Sequence, residues 1–180
     1  MNKKLPLVFS LASFVLALDL FSKWLIVKWL VIGDEVSVIS GFFDIVHVRN
    51  KGAAFGMLSG WDSHWREVVF CVVGLVALVL LYQYIKETAA ENKKLLACFG
   101  LILGGALGNL IDRFWHGSVV DFLSFHIQNV VIDRVFLGYH LVLPLFWPAF
   151  NVADIALSVS VVCLILFSLV GSGKNKSTTL

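Results

Sequence analysis

The chain has 180 residues, of which 59% are apolar and 14% charged, and its net charge is +2. Its mean hydropathy of +0.89 lies outside the range of ordinary soluble domains and predicts residence in a membrane. The small net charge, without a basic stripe carrying interleaved aromatic residues, argues against a nucleic-acid partner.

Four apolar segments are long enough to cross a hydrocarbon core of about 30 Å as helices that rise about 1.5 Å per residue. We predict helices at residues 5–32, 67–86, 95–115 and 151–170, within a single domain. The first segment also resembles a secretory signal peptide. Because no small-x-small site precedes a polar start, we expect an uncleaved helix.

Two longer segments, residues 33–66 and 116–150, connect these helices. Residues 36–48 carry β-branched and aromatic side chains around Ser40 and Gly41, which predicts a small hairpin. Residues 52–58 predict a short interfacial helix at the level of the lipid headgroups. The aromatic second segment should also lie on the membrane surface. The predicted fold class is therefore an all-α membrane protein of four transmembrane helices with a small extracytoplasmic hairpin and a short interfacial helix.

Lysines near the helix ends predict the orientation, because positive charges close to membrane spans favour the cytoplasmic side. They precede the first helix, separate the second from the third, and follow the fourth. We therefore expect both termini in the cytoplasm and residues 33–66 and 116–150 on the outer side. The lysines in question are Lys3, Lys4, Lys86, Lys93, Lys94, Lys174 and Lys176.

Two ionisable residues lie within the first predicted helix, where each charge costs about 2.5–3.5 kcal/mol on insertion scales. Asp19 and Lys23 are four residues apart and so share one helix face. Two interpretations stay open. The pair neutralises itself, or both side chains face the bundle interior and support a polar site.

The third predicted helix has a small-residue face and a polar outer end. Gly104 and Gly108 are spaced to allow close approach of another helix. Asn109, Asp112 and Arg113 share a face at the end of the helix. A salt bridge between Asp112 and Arg113 at the membrane boundary would explain these two residues, but it leaves the deeper Asn109 without a role.

Asp121 lies just beyond the third helix, and Asp154 lies in the first turn of the fourth. Capping of the fourth helix by Asn151 and Asp154 is one explanation of the second acid. Consecutive antiparallel helices, however, bring both acids to the same membrane boundary. Two neighbouring carboxyl groups share a proton, and such a pair can activate water while protonating a leaving group.

The sequence lacks the motifs that identify a metal site or a serine protease site. There is no H-E-x-x-H motif, and the five histidines lack ligand spacing, so we expect no metal. Ser59 lacks the G-x-S-G pattern of serine intramembrane proteases, and the three cysteines are expected to be small buried hydrophobes. A proton-coupled transporter and a scaffold protein with an outer aromatic surface remain as alternatives.

Five separated blocks resemble the bacterial lipoprotein signal peptidases, also called signal peptidase II, along essentially the whole chain. Two departures stand out: residues 123–145 are longer than in the family pattern, and Lys51 occupies a position of small or hydroxyl residues. The matching blocks are Asp19 with Lys23, and residues 49–56 (RNKGAAFG), 104–113 (GGALGNLIDR), 119–122 (VVDF) and 148–154 (PAFNVAD).

The resemblance implies an aspartic endopeptidase of the bacterial inner membrane with its active site near the outer face. Its substrate would be a diacylglyceryl-modified prolipoprotein, cut before the lipidated cysteine. The resemblance implies that the enzyme needs no cofactor and is inhibited by globomycin. We expect it to contact membrane lipids and to be a monomer. Asp121 and Asp154 would be catalytic. The residues expected to bind substrate are Asp19, Lys23, Asn50, Gly104, Asn109, Arg113 and Asn151.

Overall fold

The computed structural model describes residues 4–52, 63–136 and 139–174. Within these ranges the chain forms four helices and four strands. In chain order these are α1 (Leu5–Trp29), β1 (Glu35–Ile39), β2 (Phe43–Asn50), α2 (Ser63–Glu87), α3 (Lys93–His116), β3 (Val119–Phe136), β4 (Tyr139–Phe150) and α4 (Val152–Lys174).

Each of the four helices contains a stretch long and apolar enough to cross a membrane. The first helix ends at Trp29 rather than at the predicted Ile32. The third helix is capped at its N-terminus by Asn92, whose side chain accepts a hydrogen bond from the Leu95 amide at 3.3 Å. It ends at Gly117, whose φ of +62° places it in the left-handed region that glycine adopts without strain. This sharp end turns the chain directly into β3.

The strands form one antiparallel sheet in the order β1-β2-β3-β4. A turn at Gly41, with φ of +74°, joins β1 to β2. In the register of β2 on β3, Val48 is opposite Asp121 and Asn50 is opposite Val119. The predicted interfacial helix at residues 52–58 falls almost wholly outside the described residues.

The strand content exceeds the sequence-based expectation. The sequence predicts an all-α fold with one hairpin, and it places residues 116–150 on the membrane surface without assigning strands to them. The described part of this segment after Ser118 forms β3 and β4, which are the longer strands of the sheet. The fold is therefore a four-helix membrane protein with a four-stranded antiparallel sheet at one end of the helices.

The third helix is the centre of the bundle, since it contacts each of the other three helices. A Cβ atom added at Gly104 would lie 2.6 Å from the Ala12 carbonyl oxygen of α1. One added at Gly105 would lie 2.7 Å from the Ala153 carbonyl oxygen of α4. Small residues thus let the backbones of α1 and α4 approach α3 closely. The spacing of Gly104 and Gly108 predicts such a close approach by another helix. The structure gives Gly104 a packing role between α1 and α3, and the substrate-binding role that the resemblance implies for it stays a prediction.

Replacing Gly104 with Ala should lower the stability of the protein by about 1–3 kcal/mol, because the added methyl group meets backbone atoms that cannot move aside without separating α1 from α3. Thermal unfolding in detergent measures the effect. Gly74→Ala is the matched control, since its Cβ would meet the mobile end of the Leu110 side chain at 3.2 Å. An equal loss of stability in the two variants would contradict the packing argument.

Candidate active site

Asp121 and Asp154 each lie on the third residue of an element that begins at the sheet end of the bundle. Asp121 is in β3, which follows α3 after Gly117, and Asp154 is in α4, which follows β4. Asn151 immediately precedes α4 and is completely buried. It contacts both acids, because its Nδ2 donates to Asp121 Oδ1 at 2.7 Å and its backbone N donates to Asp154 Oδ2 at 3.1 Å. The two acids, separated by 33 positions in the numbering of the chain, therefore share one neighbour.

The carboxyl group of Asp121 is 3% exposed and accepts hydrogen bonds on both oxygens. Asn50 Nδ2, at the end of β2, donates to Asp121 Oδ2 at 2.9 Å, and Asn151 Nδ2 donates to Oδ1. The pairing of β2 with β3 explains the first contact, since it brings the end of β2 beside the start of β3. The pKa of Asp121 is raised to about 6, mainly by burial and to a smaller extent by the charge of Asp154, while the hydrogen bonds from Asn50 and Asn151 oppose the rise.

Asp154 is both a helix cap and a member of the polar cluster. Its backbone N donates to Asn151 Oδ1 at 3.0 Å, and the Asn151 backbone N donates back to Asp154 Oδ2, which is the reciprocal pattern of a capping box. The remaining oxygen, Oδ1, accepts from Asn109 Nδ2 at 2.8 Å. The capping explanation of Asp154 is thus correct, and it is compatible with a second role because Asn109 orients the same carboxyl group.

Lys23 is the cation of a buried cluster that supports Asn109. Its Nζ lies 2.7 Å from Asp19 Oδ2 and 3.1 Å from Asp112 Oδ2, and it donates to Asn109 Oδ1 at 3.0 Å. Asp19 and Lys23 are 0% and 3% exposed. Both interpretations of this pair therefore hold together: the two residues neutralise each other and also face the interior. Through Asn109, the cluster fixes the amide that donates to Asp154.

The expected salt bridge between Asp112 and Arg113 is wrong. Asp112 pairs with Lys23 instead, and its Oδ2 also accepts from the Val120 backbone N at 3.1 Å. Arg113 points elsewhere, with its guanidinium 5.0 Å from the centre of the Phe70 ring and its Nη1 3.4 Å from the Asn109 carbonyl oxygen. Successive helix residues point about 100° apart, which explains why the two side chains separate.

Two residues of this arrangement were not among the predicted site residues. Asp112 holds the start of β3 through the Val120 amide, one position before Asp121. Gly108 faces the Asp19 carboxylate so closely that an added Cβ would collide with it. Asp19 Oδ1 in turn accepts from the Ala153 backbone N at 2.9 Å, one position before Asp154. The position of Gly108 within the glycine-rich block was the available signal in the sequence.

A cavity of about 270 Å³ opens beside Asp154. Apart from Asp154 and one serine, its walls are apolar, so it suits an apolar group positioned next to a carboxyl group. The lining residues are Trp147, Phe150, Asp154, Ile155, Ser158 and Val159.

Seven of the nine predicted site residues belong to one hydrogen-bonded network, namely Asp19, Lys23, Asn50, Asn109, Asp121, Asn151 and Asp154. Arg113 borders the network through the Asn109 carbonyl, and Gly104 lies in the contact between α1 and α3. The spans and this cluster define a multi-pass membrane protein with a buried polar site where the helices meet the sheet.

Comparison with known proteins assigns the family. The family model for Signal peptidase (SPase) II matches residues 11–170, and the chain belongs to this family. It is therefore a membrane peptidase, as the resemblance of its sequence blocks indicated, and the transport and scaffold alternatives are set aside.

Individual relatives agree with this assignment. A lipoprotein signal peptidase of Francisella tularensis subsp. novicida (strain U112) is 40% identical over 168 residues, which cover 93% of this chain and 94% of the relative. One of Syntrophus aciditrophicus (strain SB) is 37% identical over 177 residues, covering 98% and 100%. A bacterial membrane enzyme solved by the in meso method at 2.3 Å resolution is 31% identical, with a TM-score of 0.75 and coverage of 98% of this chain and 94% of that structure.

Proposed function

We propose that the protein removes the signal peptide from diacylglyceryl-modified prolipoproteins by aspartic-type hydrolysis, cutting on the amino side of the lipidated cysteine. Asp121 and Asp154 are the catalytic pair in this proposal. The observation that carries it is the shared contact of Asn151 with both carboxyl groups, which holds two acids of unequal burial beside one another.

The environments of the two acids give them different tasks. Asp121, buried and with its pKa raised to about 6, holds the proton and acts as the general acid. Asp154 borders the apolar cavity and acts as the base. It takes a proton from a water molecule that attacks the scissile carbonyl carbon, and Asp121 donates its proton to the departing amide nitrogen. The peptide C–N bond breaks, and the step leaves Asp154 protonated and Asp121 ionised.

The remaining polar residues position this pair. Asn50, Asn109 and Asn151 orient the carboxyl oxygens, and Lys23 with Asp19 keeps Asn109 in place. Arg113 is close enough to the cluster to contact the substrate backbone, whose polar groups need partners in a membrane. In this proposal the lipid chains of the substrate lie along the cavity formed by Trp147, Phe150 and neighbouring α4 residues.

The distribution of lysines supports the proposed orientation, with both termini in the cytoplasm. The sheet and the carboxyl pair then lie at the outer face of the bacterial inner membrane, where lipid-modified substrates would reach the cavity from the bilayer. A monomer holds all residues of the proposed site, since the network is formed within one chain.

Cleavage by the purified full-length protein in detergent tests this function. A prolipoprotein carrying diacylglycerol on its cysteine should be cut immediately before that cysteine, and globomycin should block the cut. The same precursor without the lipid is the matched control and should stay intact. Equal cleavage of both precursors would contradict the proposed lipid requirement, and a cut elsewhere would contradict the proposed position.

The pH dependence of cleavage should show that Asp121 works in its protonated form. As pH rises through about 6, Asp121 loses its proton, and kcat/KM should fall. Asn50→Ala removes a hydrogen bond that stabilises the carboxylate, so the pKa of Asp121 should rise and the fall in kcat/KM should move to higher pH. Asn92→Ala, at the opposite end of α3, is the control and should leave the profile in place. A profile unchanged by Asn50→Ala would argue against Asp121 as the acid.

A further inference from the structure

The strand β2 has two faces with different chemistry. Because side chains alternate along a strand, Asn50 points to Asp121 while its neighbours Arg49 and Lys51 border a separate cavity. That cavity has a volume of about 710 Å³ and also contacts His47 and His116. Four nitrogen-bearing side chains thus line a space on the side of β2 away from the carboxyl pair.

Two buried nitrogen atoms in the walls of this cavity have no hydrogen-bond partner among residues 4–52, 63–136 and 139–174. They are Nε2 of His47, a side chain 3% exposed, and Nη1 of Arg49. Because both atoms are buried, a ligand in the cavity pairs with them only after a small rotation of each side chain. An unpaired buried polar atom costs about 1–3 kcal/mol, so this pairing would favour ligand binding. The cavity walls therefore carry polar groups suited to a polar ligand.

The two unpaired nitrogen atoms differ in their hydrogen-bonding role: one is a donor and the other is an acceptor. Arg49 Nη1 is a donor and carries positive charge. His47 Nδ1 lies 2.9 Å from the Leu30 carbonyl oxygen and must donate to it, so Nε2 of the neutral ring is an acceptor. A ligand that fits both atoms presents an anionic oxygen to Arg49 and a hydroxyl group to His47.

The positive charge in this cavity is not cancelled by the described part of the chain. No described carboxylate pairs with Arg49 or Lys51. Asp112, which lies 3.7 Å from His116 Nδ1, is paired with Lys23. Guanidinium and ammonium groups together favour a phosphate, which Arg binds through paired hydrogen bonds.

A partly apolar groove continues from the cavity along the helices. It has a volume of about 200 Å³ and shares Arg49 and His116 with the cavity. Its apolar side is formed by Leu20, Trp24 and Val27 of α1, Ile111 of α3 and Val120 of β3, and its inner end is formed by Lys23 and Asp112. Since α1 and α3 are membrane spans, this groove faces the region of lipid acyl chains. A molecule that occupies both spaces has an anionic polar end and an apolar chain.

We propose that this cavity binds the phosphoglycerol headgroup of an anionic phospholipid. Arg49 and Lys51 contact the phosphodiester, His47 accepts from a glycerol hydroxyl, and one acyl chain lies in the groove between α1 and α3. Clusters of basic side chains at a membrane surface attract anionic lipid headgroups. Neither Asp121 nor Asp154 lines the cavity or the groove, although the groove reaches Lys23 and Asp112 of the polar network.

Native mass spectrometry of the full-length protein, titrated with dioleoyl phosphatidylglycerol in detergent, tests the proposal. Dioleoyl phosphatidylcholine, which has neither net charge nor a glycerol hydroxyl in its headgroup, should bind at least about ten-fold more weakly. Arg49→Gln should weaken phosphatidylglycerol binding by a similar factor, and the exposed Lys51→Gln should weaken it about three-fold or more without affecting folding. Lys86→Gln, at the other end of the bundle, should bind as the wild type does.

Other results would overturn the proposal. Equal binding of the two lipids, or wild-type binding by both Arg49→Gln and Lys51→Gln, would show that no anionic lipid site is present. Competition by free glycerol phosphate as strong as that of the lipid would assign the cavity to a soluble ligand. Asp121→Asn should leave lipid binding unchanged, so a failure of the proposed peptidase mechanism and a failure of the lipid site can be told apart.

Discussion

Replacing Asp121 or Asp154 with Asn should lower kcat/KM for a lipid-modified prolipoprotein at least about 1,000-fold, because each variant lacks either the acid or the base of the proposed reaction. The loss should appear mainly in kcat, since both substitutions leave the apolar walls of the cavity proposed to receive the lipid unchanged. Appearance of the free signal peptide, followed over time with purified protein, measures the rate.

These variants should still fold. Each new amide keeps one acceptor oxygen but turns an NH₂ group toward a former donor, Asn50 or Asn151 for Asp121, and Asn109 or Asn151 for Asp154. The expected loss of stability is about 1–3 kcal/mol, visible as a lower Tm with a cooperative transition. Asp34→Asn is the control, since this residue is exposed and its carboxylate accepts from the Val31 amide, outside the polar network. Turnover near the wild-type rate in either catalytic variant would refute the assignment.

Replacing Lys23 with Met should destabilise the protein by about 3–5 kcal/mol and remove activity, because Asp19 and Asp112 would be left buried without their cation. Asn109 would also lose the donor that holds its Oδ1. Unfolding of the purified protein by heat or denaturing detergent measures the first effect, and the cleavage assay measures the second.

Lys28→Met is the matched control on the same helix, since Lys28 is exposed and lies over the Trp24 ring at 4.8 Å. The double variant Asp19→Asn with Lys23→Met should be less destabilised than the sum of the single variants, because removing one acid relieves part of the uncompensated charge. If Lys23→Met keeps the Tm and the activity of the wild type, the buried cluster has no supporting role.

Local spacing was enough to predict several features of this protein. The interval of four residues places Asp19 and Lys23 on one face, and the structure pairs them. The apolar runs predict four spans, and the structure has a span in each. These features depend on residues near one another in sequence, so a helical period is sufficient to find them.

Features that depend on distant pairing could not be obtained in this way. Lys23 and Asn109 are 86 positions apart, and nothing local indicates that they meet. The strand β4 carries a long apolar run, so it lacks the period that identifies a strand at a surface. In β3, residues 123–128 alternate between apolar and polar side chains, which was a local signal that the sequence-based prediction did not use. The bridging role of Asn151 likewise requires β3 and the start of α4 to be adjacent.

The site draws its side chains from five separate elements, α1, β2, α3, β3 and α4. A ribosome-bound chain that has not yet inserted its fourth helix possesses Asp121 but neither Asp154 nor the asparagine that joins the two acids. In the proposed mechanism, the protein is therefore inactive until its last span has entered the bilayer, so the order of elements along the chain delays the onset of proteolysis.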